Sequence, residues 1–150
     1  MTQSLIVESV ITMHATASRV WDALTNPEQT KRYMFGCETV SDWKPGSPLL
    51  WKGVYEGNEM VFVKGYIVTF IPDKLLVYTT FDPNSTMPDV PDNYLTVTYS
   101  LAEKDGATSL TVTQGDYSKV AEGERRYKEA SNGGEGWNPI LIQIKQLVEL

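Results

Sequence analysis

The chain has 150 residues, 41% of them hydrophobic, and its thirteen basic and nineteen acidic side chains give a formal charge of −6. That length suits one domain, residues 1–150, with a core that can stand without crosslinks, and the negative balance argues against nucleic acid or anionic membranes as partners. The single cysteine, Cys37, excludes an internal disulfide and suits a reducing compartment.

The opening MTQSLIVESVITMH lacks both a basic region and a signal-type apolar core, so a cytoplasmic location is expected. No apolar run approaches the roughly 18 residues of a membrane span, so no membrane insertion is expected. Residues 4–14 put Leu5, Val7, Ile11 and Met13 on one side and Glu8, Thr12 and His14 on the other, which predicts a strand. The period then changes. Thr16 can cap a helix from Ala17 that places Val20, Trp21 and Leu24 on one flank. Asn26-Pro27-Glu28 is a second helix start: a cap residue, a proline in the first turn and a carboxylate at the positive end of the dipole.

From Cys37 to Tyr117 strand-like runs recur: CETVSDW, LLWKGVYEG, MVFVKGYIVTFI, KLLVYTTF, YLTVTYSLAE and ATSLTVTQGDY. Turn signals separate them, and short connections imply a sequential antiparallel meander of six strands beside the first. The one long connection, Asp82 to Asn93, holds three prolines and three aspartates and predicts an irregular loop. The stretch KVAEGERRYKEASNGGEG is weakly helical and broken by glycines. The closing GWNPILIQIKQLVEL spaces Trp137, Ile140, Leu141, Ile144, Leu147 and Val148 three and four apart, with Pro139 at the start, and predicts an amphipathic helix through Leu150.

Alternation assigns the sheet faces. Leu95, Val97, Tyr99 and Leu101 share one side, matched by Leu110, Val112 and Gln114. Trp51, Gly53 and Tyr55 are expected inward, as are Phe62, Tyr66, Val68 and Phe70. Lys64 would then join the apolar side, a conflict that marks either a bulge or a polar group wanted inside. The closing helix is the long amphipathic element able to cover this face, and a twisted sheet that curls around it leaves room at one end.

The order strand, two helices, six strands and long helix resembles the START-like or SRPBCC superfamily, with its helix-grip fold. The stretches ATASRVWDALTNPEQTKRY, GYIVTFIPDKLLVYTTF, SLTVTQGDY and GWNPILIQIKQLVEL resemble its branch named after the activator of the heat-shock-protein-90 ATPase. The resemblance implies an α+β fold in which a curved antiparallel sheet of about seven strands wraps the C-terminal helix. It also implies binding of lipids, polyketides or similar molecules, or their cyclisation or hydration, and it implies no universal catalytic residue.

Trp51, Tyr55, Phe62, Tyr66, Tyr78, Tyr99 and Trp137 are therefore candidate cavity walls, with Leu141 from the helix and Gln114 and Lys64 as polar anchors. Buried tyrosine hydroxyls need partners, which a ligand or water can supply. His14 and Cys37, each alone of its kind, read as an exposed residue and a buried one rather than as nucleophile and base. They cannot form a zinc site of usual type, and the acids of the long loop lack calcium-loop spacing, so neither metal nor cofactor is expected. NGGEG lacks the lysine of a phosphate loop and reads as a helix break. The sequon Asn84-Ser85-Thr86 carries no meaning for a cytoplasmic chain. The leading expectation is a protein that binds a small hydrophobic molecule. The alternatives are a cyclase or hydratase in which a tyrosine, Gln114 or Lys64 moves protons, and a module that engages a chaperone ATPase. A homodimer is compatible with each.

Overall fold

The computed structural model describes residues 5–149, so Ser4 and Leu150, expected ends of the first strand and the closing helix, lie outside the described residues. Strand β1 (Val7–Met13) alternates buried and exposed positions. Helix α1 (Ala17–Thr25) starts where the Thr16 hydroxyl accepts from the Arg19 amide, at 3.2 Å. Asn26 closes it and caps α2 (Pro27–Tyr33), its Oδ1 accepting from the Glu28 amide at 3.0 Å. This shared cap turns the chain between two short helices without orphaning their end groups.

The meander follows as β2 (Glu38–Ser41), β3 (Pro48–Tyr55), β4 (Asn58–Ile71), β5 (Leu75–Thr80), β6 (Leu95–Lys104) and β7 (Ala107–Gly115). All pairings are antiparallel in one curved seven-stranded sheet, order β1-β7-β6-β5-β4-β3-β2, so the first strand closes beside the last. Helices α3 (Gly123–Ser131) and α4 (Asn138–Val148) complete the chain. Among the described residues no helix is long and apolar enough to cross a membrane. The long loop is irregular except for a single 3-10 turn, Pro91–Asn93.

The fold is the expected α+β helix grip. Helix α4 buries Leu141, Ile144 and Val148 in a core shared with Met13, Trp21, Tyr99, Leu110 and Val112. A buried aliphatic side chain of this size is worth about 1.5–3 kcal/mol, so these three anchor the helix. Its contacts fall mainly on β1 and on α1, which leaves the middle strands open beneath its N-terminal end.

Strand β4 departs from plain alternation. Its register slips once against β3, where Phe62 is the extra residue, and once against β5, where Val68 is. Phe62 and Val63 therefore both lean on the core, Gly65 and Ile67 continue inward, and Phe70 returns to the core after the second bulge. Tyr66 and Val68, expected inside, are instead 52% and 50% exposed. Lys64, opposite Leu50, points away from the core and pairs with Asp89 of the long loop. Tyr94 also donates to Asp89 at 2.6 Å, and its ring stacks on Phe81 and on Tyr66, so both expected cavity residues instead help hold the loop. Tyr55 is 59% exposed because it ends β3 opposite Asn58, at a tight hairpin that no helix covers.

Candidate functional site

A cavity of about 650 Å³ lies between the middle of the sheet and the start of α4. Trp51, Phe62, Tyr78 and Val97 reach it from four successive strands, and Gln114 from β7. Trp137 and Ile140 bound it from α4, Arg126 and Ala130 from α3. Phe35 is on the same wall yet 85% exposed, which places the mouth beside the turn after α2. Its φ of +53° is one that a bulky side chain seldom adopts, a local strain of the kind often stored at ligand sites.

Of the ten residues proposed from sequence, Trp51, Phe62, Tyr78, Gln114 and Trp137 come together on this wall. Tyr99 and Leu141 do not reach it. Each is at most 1% exposed in the packed core, Tyr99 with its ring edge-on to Tyr78 and Trp137. Tyr55, Lys64 and Tyr66 lie away from it, for the reasons given above. Sequence reasoning missed Phe35 and Arg126, which sit where no apolar period places a side chain, and it read Cys37 as buried without placing it on the wall.

The polar groups of the wall are few. The Trp137 indole donates to Gln114 Oε1 at 2.9 Å. An indole can only donate, so this bond fixes which end of the Gln114 amide faces it and leaves the NH₂ without a partner among the described residues. The Tyr78 and Tyr99 hydroxyls bond each other at 2.7 Å, so the phenol whose ring lines the cavity is already satisfied behind it. Burial pushes both phenols well above their ordinary range, and it pushes the Cys37 thiol up as well. Among the described residues no cluster of histidine, cysteine and carboxylate side chains is arranged to hold a metal ion.

The family described as activator of Hsp90 ATPase homolog 1-like protein matches residues 14–149. The chain belongs to this family. ChR145 from Cytophaga hutchinsonii, known from its solution structure, is 34% identical to this member, with a TM-score of 0.76 over 99% of this chain and 97% of that one. PFC0360w, described as an HSP90 activator from Plasmodium falciparum, is 17% identical, with a TM-score of 0.66 over 95% of this chain and 94% of its own. The Aha1 dimer from Colwellia psychrerythraea is 14% identical, with a TM-score of 0.66 over 97% and 96% of the respective chains. The last two likenesses concern the fold alone. A search of the curated proteins finds no match.

Proposed function

We propose that this chain binds a small hydrophobic molecule, in the cytoplasm, within the cavity between α4 and the sheet. The observation that carries this is the cavity itself: about 650 Å³ bounded mainly by aromatic and aliphatic side chains. A concave, mainly apolar space of this size suits an elongated or aromatic guest. Apolar burial supplies the affinity, and the few polar groups set orientation.

Titration with the neutral fluorophore N-phenyl-1-naphthylamine tests the reading. A saturable, blue-shifted signal at one site per chain is expected. Ile140→Trp, which fills the wall from α4, should abolish the signal while the thermal midpoint holds. No saturable signal in the unsubstituted protein, or one that Ile140→Trp leaves intact, overturns it.

A second reading, stimulation of a chaperone ATPase, draws support from the family match and from Tyr66 and Val68, exposed side by side on the outer face of β4. Raised ATP turnover by a chaperone of the Hsp90 class, lost in Val68→Asp but kept in Ile140→Trp, would favour it over ligand binding. The cyclase or hydratase reading gains least. Its tyrosines are bonded to each other and held protonated, and Lys64 is committed to Asp89.

A further inference from the structure

We propose that the cavity's guest carries an acidic head group on its apolar body, and that Arg126 receives that head together with the free amide of Gln114. The inference rests on the cavity-binding reading above and names the chemical class of its ligand.

Among the described residues Arg126 is the single basic side chain on the wall. No carboxylate among the described residues pairs with it. Its guanidinium donates only to two main-chain carbonyls, Ala121 at 3.4 Å and Asn93 at 3.3 Å, both long bonds that leave most of its N–H groups uncommitted. The neighbouring Arg125 is the contrast: it faces solvent and is held at 3.0 Å by both Glu122 and Glu129. Of two adjacent arginines, the one turned to solvent is neutralised and the one on the apolar cavity is not.

Gln114 points to the same chemistry. The Trp137 indole engages its oxygen and fixes the amide's orientation, so the NH₂ it presents to a guest is a donor. A fully neutral, apolar guest would strip water from these donors and return nothing, leaving them buried and unpaired. A carboxylate or sulfonate accepts from both, and its planar or forked oxygens match a guanidinium. Asp82, the acid on the wall, is exposed and turns Oδ1 to the Asn84 amide at 2.8 Å.

The test compares two probes with the same arylamine body. N-phenyl-1-naphthylamine is neutral, and 8-anilinonaphthalene-1-sulfonate carries the anion. The sulfonate should bind the unsubstituted protein more tightly. Arg126→Gln should weaken it about tenfold or more, in line with a charge-assisted hydrogen bond, while the neutral probe changes by less than about twofold. Arg126→Lys should retain part of the preference. Equal weakening of both probes would assign Arg126 to holding α3 against the long loop and overturn the proposal. Unchanged sulfonate binding in Arg126→Gln would overturn it too, leaving the cavity reading intact. If neither probe binds the unsubstituted protein, the cavity reading falls and this inference with it.

Discussion

The indole Nε1 of Trp137 and the Oε1 of Gln114, 2.9 Å apart, join the start of α4 to the end of β7 across the cavity wall. Gln114→Leu would leave a half-buried donor-only group unpaired, at an expected cost of about 1–3 kcal/mol in the free energy of unfolding. Trp137→Phe removes the donor instead. The double variant should then lose less than the sum of the singles, by about 0.5 kcal/mol or more, as residues in direct contact do. Urea unfolding of the three variants measures this. Strictly additive losses would mean that the bond does not couple helix and strand.

Tyr99 is a core residue whose hydroxyl serves Tyr78. Tyr99→Phe should therefore cost about 1–3 kcal/mol of stability, because the Tyr78 hydroxyl is left buried and alone. Neutral-probe affinity should stay within about twofold, since Tyr99 is not on the wall. Burial raises the pKa of Tyr33, Tyr78 and Tyr99 above the ordinary 10.0. Groups raised in the folded state contribute fully below the unfolded value and lose that contribution as pH climbs past it. The thermal midpoint should thus hold up to about pH 9 and fall above about pH 10, less steeply in Tyr99→Phe. A midpoint independent of alkali would show these phenols to be less buried than described.

The strand residues that were most legible lie where alternation is unbroken. On β6, Leu95, Val97, Tyr99 and Leu101 point as their spacing says, because no extra residue intervenes. Trp51, Tyr78 and Gln114 lie on the cavity wall by the same logic, and Trp137 by the helical period of the closing segment. On β4 the two extra residues reverse that logic for Tyr66 and Val68, and the sole hint was the awkward position of Lys64. Alternation also says only that a side chain points inward. It cannot say whether the end of α4 or a void lies above, which is why Tyr78 and Tyr99 read alike though only one lines the cavity. Arg126 and Phe35 had no period to betray them, one on a short, mostly polar helix, the other at a left-handed turn.

Asp116 is a carboxylate whose bonds acid should break. Its Oδ1 accepts from the Ser118 hydroxyl at 2.7 Å and from the Leu5 and Ser118 amides at 2.9 Å. Those bonds, the Ser118 hydroxyl foremost, pull its carboxyl from 3.8 down to about 2. A lowered folded-state value means stability present above about pH 4 and lost as pH falls toward about 2. The thermal midpoint should decline across that window. Asp116→Asn should lower the midpoint at neutral pH and flatten the decline. A slope unchanged in Asp116→Asn would assign the acid sensitivity elsewhere.

Gly53 sets the shape of the cavity floor. A Cβ there would come within 2.7 Å of Phe62 Cε2, 3.1 Å of Cδ2 and 3.3 Å of Cys37 Sγ, so the ring keeps its place only because β3 has no side chain at this position. The obstruction is a half-buried side chain rather than backbone, which can yield. With the sheet below, the ring yields toward the cavity and takes up space a guest would use. Gly53→Ala should therefore weaken neutral-probe binding several-fold while costing less than about 1.5 kcal/mol of stability. Shortening the ring in Gly53→Ala/Phe62→Leu should restore most of the affinity. Probe binding that is indifferent to Gly53→Ala would show that guests do not rest on Phe62, and would move the occupied part of the cavity toward Trp137 and α3.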